Sequence, residues 1–150
     1  MLTSPDFKEL LSLFKKYSVQ YLIVGGYAVM RYTEPRFTKD LDILIAVNDT
    51  NAVAVYNALT AFGAPLTNLT PQDFAAEGYF YQIGVPPLRV DVLMSIPGVA
   101  FAEAWERRET VRIADTEMHF ISKDDLIKAK LASGRHQDLL DAEHLREAGE

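Results

Sequence analysis

The sequence predicts an α/β chain of the α+β kind: one domain on a mixed β-sheet with helices packed against it. Three observations lead there. The 150 residues suffice for one core, whereas a second would leave each half very small. Hydrophobic residues at 49% against 24% charged are the proportions of a soluble globular protein with material for a core. Helical and strand periodicities alternate early, while later strands arrive in hairpins, an order that suits a sheet with parallel and antiparallel pairs.

The elements follow in order. A first helix is capped by Ser4, takes Pro5 at its first position, and carries a stripe of Phe7, Leu10, Leu11, Phe14 and Tyr17. Gln20 to Val24 reads as a short buried strand ending at Gly25-Gly26, and Tyr27 to Tyr32 as a short helix opening on those glycines. Thr33 to Lys39, with Pro35, reads as a loop, and the β-branched, apolar Leu41 to Val47 as a strand. A helix starts at Asn48 or Asp49, gathers Ala52, Val55, Tyr56, Leu59 and Phe62 on one face, and closes at Gly63.

Leu66 to Ala76 carries no clear period, and the Pro71 region reads as loop or a helical turn. Tyr79 to Val85 and Leu88 to Met94 pair as strands across Pro86-Pro87, and Val99 to Arg107 reads as a helix. Thr110 to Ile113 and Glu117 to Ile121 form a second hairpin around Asp115. Ser122 caps a helix with Asp125 three residues on, Gly134 ends it, and a last helix covers about Gln137 to Ala148, so that C-terminal helices occupy about 122 to 148 of a single domain spanning 1–150.

Composition excludes several classes of function. With no cysteine there is no disulfide framework, thiolate metal site or cysteine nucleophile, which suits a cytoplasmic location. The N-terminal stretch intersperses charges among its apolar positions and lacks a small-residue cleavage site, unlike a secretory signal. The apolar run from Ile43 to Val47 is far short of a membrane span. A net charge of −6 argues against broad, sequence-independent binding to nucleic acid, though not against a local basic pocket for a nucleotide.

Chemistry concentrates in VGGYAVMRYTEPRFTKDLDIL. Asp40 and Asp42, two apart at the head of a strand, leave one face while Leu41 and Ile43 enter the core. Side-by-side carboxylates repel unless a cation sits between them, and a hard divalent ion takes such oxygen ligands. Taken alone, so short a pattern better suits a turn cap beside a solvated acid. Asp91, in the apolar strand LRVDVLM, needs a metal, a cation or strong donors, with Arg89 or Arg112 as salt-bridge partners in the structural reading. Gly25-Gly26 at a strand-to-helix turn lets backbone approach a ligand and offers free N–H groups to phosphate, or is simply a tight turn.

Together these three signals resemble the nucleotidyltransferase superfamily, whose pattern is a Gly-Gly or Gly-Ser turn opening a helix, a carboxylate pair some ten residues on, and a third carboxylate on a later strand. Here thirteen residues separate Gly26 from Asp40. Arg36-x-Thr38-x-Asp40-Leu41-Asp42 is similar to small bacterial members related to abortive-infection toxins, and the likeness continues through Asp125-Leu126-Ile127, Lys130-Leu131-Ala132, Gly134-Arg135, Asp138 and Asp141. The resemblance implies the nucleotidyltransferase fold and metal-dependent transfer of a nucleoside monophosphate from an NTP such as ATP to a hydroxyl of a tRNA, a protein or a small molecule.

The same resemblance implies Mg²⁺ or Mn²⁺ on Asp40, Asp42 and Asp91, with Asp91 also a candidate general base. It implies a triphosphate cradled by Gly25 and Gly26; many relatives carry Ser where Gly26 stands. Arg36, Thr38 and Lys39 then form a loop over the nucleotide, and Lys130 and Arg135 contact its triphosphate or base side. In the structural reading Thr38 caps a turn, Arg36 and Lys39 are solvated, and Lys130 and Arg135 decorate a helix C-terminus. Asp138 and Asp141, on one helix face, read as partners of Arg135 or Lys130.

The alternative function is a non-catalytic nucleotide-binding or toxin–antitoxin regulatory module of the same fold. In the enzyme reading, acceptor recognition comes from a dimer partner, a second protein or the cleft rim, and the expected partners are a homodimer or an antitoxin-like protein. His119, His136 and His144 lack zinc spacing, with His119 expected at a surface or rim, and Trp105, Tyr79 and Tyr81 read as core or cleft wall.

Overall fold

The computed structural model describes residues 5–36, 38, 40–78, 80–85, 88–113 and 115–148. The cap expected at Ser4, the site residue Lys39, Tyr79 and the Pro86-Pro87 turn lie outside these. Helix α1 (Pro5–Lys16) leads to β1 (Tyr21–Val24), α2 (Gly25–Tyr32), β2 (Asp40–Ile45) and α3 (Asp49–Phe62). A 3₁₀ turn at Pro71–Ala75 precedes β3 (Phe80–Val85), β4 (Leu88–Leu93), α4 (Phe101–Glu106), β5 (Glu109–Ile113) and β6 (Thr116–Phe120). Helices α5 (Lys123–Ser133) and α6 (His136–Glu147) follow.

The six strands form one sheet in the order β3-β4-β2-β1-β6-β5. Strand β1 is antiparallel to β2 and parallel to β6, β2 is parallel to β4, and the two hairpins are antiparallel. The sheet is thus mixed, as the sequence predicts. The central strands β1 and β2 carry Leu22, Ile23, Leu41, Ile43 and Ile45 with no exposed surface, and Phe14 and Phe120 close the same core. Helices α1 and α3 pack together, while α5 and α6 pair and touch α2. Among the described residues no helix is long and apolar enough to cross a membrane.

Local chemistry fixes the frame. Asn48 caps α3 by accepting from the Asn51 N–H, and Gly63 ends it at φ +90°. Asn51, buried within that first turn, spans the ends of β1 and β2: it accepts from the Gln20 N–H at 2.8 Å and donates to the Gln20 and Ala46 carbonyls at 3.1 and 2.8 Å. Ser122 caps α5 through the Asp125 N–H. The Asp125 carboxylate takes two bonds from Arg107, at 2.9 and 3.0 Å, so it links α4 to α5 as well as supporting the cap. Helix α4 is shorter than the apolar pattern predicts, because Val99 bridges Ile96 in an extended pairing. His119 lies partly buried against the rings of Tyr21 and Trp105, and burial lowers its pKa. Tyr81 packs on Phe74.

Candidate active site

Strand register assembles the acids. Val24, the last residue of β1, is paired with Asp42 on β2; Asp42 is paired with Asp91 on β4, and Asp91 with Gln82 on β3. Cross-strand partners leave the same face, so a row runs across four strands from the end of β1 to the sheet edge. Two residues earlier on β2, Asp40 is paired with Arg89. The three acids therefore share one face on two adjacent parallel strands, although 48 residues of chain lie between Asp42 and Asp91.

The glycine turn closes over this row. Gly25 has φ +67°, and a Cβ built on it would stand 2.1 Å from Asp42 Oδ2. No side chain fits there, so the Asp42 carboxylate packs close to the start of α2. A Cβ on Gly26 would stand 2.8 Å from Thr38 Oγ1, so the threonine hydroxyl takes the space a side chain at position 26 would need. Thr38 also donates at 3.4 Å to the Asp40 carbonyl.

The electrostatics mark Asp42. Burial, then the charge and hydrogen bonding of Asp91, then the charge of Asp40 push its carboxyl up to about 7, against a smaller opposing pull from Lys130. Asp91 Oδ1 accepts from Gln82 Nε2 at 3.0 Å. Asp40 Oδ1 is buried without a hydrogen-bond partner, and so is the Nε of Arg89, its nearest cation, 3.5 Å away. Of the two arginines expected to pair with Asp91, Arg89 instead faces Asp40, and Arg112 donates to the Asp115 carbonyl and lies 4.0 Å from Glu117. The register decides this, by setting Arg89 opposite Asp40.

Beside the acids a cavity of about 660 Å³ opens between the glycine turn and the α5–α6 pair. Seven of the site residues named from the sequence line it: Gly25, Gly26, Arg36, Thr38, Asp42, Lys130 and Arg135. Asp40 and Asp91 adjoin it through Asp42. Asp138 and Asp141 form its far wall and are almost wholly buried, at 3% and 1% exposure. Asp141 takes a two-pronged contact from Arg36 at 2.7 and 3.3 Å, a bond from Gln137 at 2.9 Å, and Lys130 at 3.1 Å. Asp138 binds Arg135 at 2.7 Å and Lys130 at 3.4 Å.

These partners hold both carboxyls below the ordinary range against burial, which opposes them; Asp138 lies at about 2. Arg36 is thus not a solvated loop residue. It ties the loop before β2 to α6. Sequence reasoning missed this link, along with Gln82 and the Asp40–Arg89 pairing, since each depends on register or tertiary docking and leaves no local motif.

Oxygen donors alone, one of them buried and unbonded, beside a carboxyl whose pKa burial raises, are a set that suits a hard divalent cation. Asp40, Asp42 and Asp91 would hold it. Among the described residues no three His, Cys, Asp or Glu side chains are gathered closely enough to enclose an ion as they stand, and Asp40 lies 3.5 Å from Arg89.

A family model described as a nucleotidyltransferase of unknown function (DUF6036) matches residues 6–146. Among proteins of curated function, none matches the chain by sequence. Solved structures share the fold at low identity. The lincosamide antibiotic adenylyltransferase LnuA, bound to lincomycin, is 17% identical with a TM-score of 0.58, over 97% of this chain and 97% of that one. An antigenic nucleotidyltransferase-like protein from Paracoccidioides brasiliensis is 15% identical with a TM-score of 0.55, over 92% of this chain and 72% of its own. ANT(2")-Ia, in complex with adenylyl-2"-tobramycin, is 12% identical with a TM-score of 0.53, over 92% and 93%.

Proposed function

The chain belongs to this nucleotidyltransferase family, and from that premise we propose that it transfers a nucleoside monophosphate from an NTP to a hydroxyl acceptor, using Asp40, Asp42 and Asp91 with Mg²⁺ or Mn²⁺. One observation carries the reading: Asp42 and Asp91 are register partners beside a Gly25 that cannot bear a side chain. Metal held by these acids would supply Lewis acidity toward the acceptor hydroxyl and the departing pyrophosphate.

The chain's own groups do the rest. Backbone N–H groups at the start of α2 take the β and γ phosphates, with Gly25 and Gly26 permitting the close approach. Thr38, which fills the space beside Gly26, offers its hydroxyl to a phosphate oxygen. Lys130 and Arg36, anchored by Asp138 and Asp141, balance the triphosphate charge, and Arg135 and Lys39 are further candidates for that role. Asp91, steadied by Gln82, receives the acceptor proton.

Among acceptors, a small hydroxylated molecule is favoured over tRNA. The net charge of −6 opposes a polyanionic partner. Two of the proteins that share the fold are named for antibiotic adenylylation or bear an adenylylated antibiotic. The test is incubation with α-labelled NTPs, Mg²⁺ or Mn²⁺, and separate pools of antibiotics, tRNA and cell lysate. Label should move to a small molecule and stop moving with Asp42→Ala. Tight Mg-ATP binding with no labelled product in any pool would favour a non-catalytic module instead.

A further inference from the structure

We propose that Arg89 is a built-in counter-cation for the acid cluster, occupying Asp40 in the ion-free protein and competing there with the divalent ion. The inference rests on the reading of Asp40 as a metal ligand. Asp40 and Arg89 are register partners on neighbouring parallel strands, so the backbone, not a flexible loop, sets them opposite each other. Asp40 Oδ1 and Arg89 Nε are both buried, both lack a hydrogen bond, and lie 3.5 Å apart. That distance is an ion-pair distance but too long for a good N–H···O bond.

Elsewhere in the site Asp141 is bonded to Arg36 at 2.7 Å and Asp138 to Arg135 at 2.7 Å. The Asp40–Arg89 pair is thus looser than these two contacts, and both of its facing atoms go unbonded. A fully bonded pair would hold Asp40 against a competing ligand, whereas a missing cation would leave three acids on one face repelling one another. Arg89 lies between these extremes. Its charge supports Asp40 until an ion arrives, and its unmade hydrogen bond makes the exchange inexpensive. Arg89 is a positioning residue, and it sets the ion concentration at which the site fills.

The experiment is a Mn²⁺ titration followed by electron paramagnetic resonance, paired with thermal melting in EDTA, on the wild type, Arg89→Gln and Arg89→Lys. Removing the fixed charge should tighten Mn²⁺ binding by about tenfold in Arg89→Gln, as expected for losing a nearby like charge partly screened by solvent. The same variant should melt lower than wild type in EDTA and recover when Mn²⁺ is added. Arg89→Lys keeps the charge and should bind Mn²⁺ within about threefold of wild type. Folded Arg89→Gln with unchanged or weaker Mn²⁺ affinity would overturn the inference while leaving Asp40 a ligand. A wild type that binds no Mn²⁺ sensitive to Asp42→Ala would overturn both the inference and the reading beneath it.

Discussion

The carboxylate of Asp42 stands where a side chain on Gly25 would have to begin, 2.1 Å from the position of its Cβ. Gly25 also holds φ +67°, so steric exclusion and backbone conformation independently require glycine there. Gly25→Ala should cost about 2–4 kcal/mol, the left-handed strain plus the displacement of Asp42. Gly63→Ala provides the comparison, since its φ is +90° with nothing within 4 Å of the added carbon, and should cost only about 1 kcal/mol. Denaturant melts of both variants measure the difference; equal losses would mean that Asp42 is not in the way.

Asp42 makes the ion-free protein pH-dependent in an unusual direction. Its carboxyl is raised to about 7 from an ordinary 3.8, so the folded state binds a proton more tightly than the unfolded one. Stability from this group is complete below pH 4, falls as pH rises toward 7, and is lost above it. Asp42→Asn should therefore melt several degrees above wild type at pH 8 in EDTA and close to it at pH 4. Mg²⁺ at pH 8 should raise the melting temperature of wild type and leave the variant unmoved.

Asp141 works the other way. Its carboxyl is held below 3.8, so its contribution is present above that pH and lost as acid protonates it. Asp141→Ala leaves Arg36 and Lys130 short of a partner in a buried setting and should cost about 2–3 kcal/mol at pH 7, with a shallower loss of stability between pH 4 and 2. It should also weaken ATP binding, because Arg36 no longer faces the cavity. Nucleotide fluorescence titration at neutral pH measures that part; an unchanged affinity would make Asp141 a purely structural residue.

Thr38 and Gly26 compete for one space. Gly26→Ser alone should weaken both stability and ATP binding, because the new carbon would lie 2.8 Å from the Thr38 hydroxyl. Thr38→Ala alone should weaken ATP binding with little change in melting temperature. The double variant Gly26→Ser/Thr38→Ala should recover ATP affinity to within about threefold of wild type, an interaction between neighbours that a double-mutant cycle reports. Additive losses would show that the two hydroxyl positions are not equivalent.

How much of this could be read in the sequence depends on whether the information is local. The helical stripe from Phe7 to Phe14, the Asn48 cap and the glycine stops at Gly63 and Gly134 are local signals, and the elements end within a residue or two of them. The Asp40–Asp42 spacing fixed their common face for the same reason. Register is different. Nothing near Arg89 says that it will stand opposite Asp40, and its nearest acid in sequence, Asp91, was the natural partner to expect. Once β2 and β4 pair in parallel, Arg89 and Asp91 stand in successive rows, one against Asp40 and the other against Asp42. Arg36 likewise met an acid 105 positions away, which only the docking of α6 could bring to it.

The most direct test of the acid cluster is anomalous diffraction from crystals grown with Mn²⁺ and a non-hydrolysable NTP analogue. The account predicts a manganese peak bonded to carboxylate oxygens of both Asp42 and Asp91, with the triphosphate against the Gly25–Gly26 turn. Manganese elsewhere, or Asp91 still bonded to Gln82 with both its oxygens turned from the ion, would contradict it.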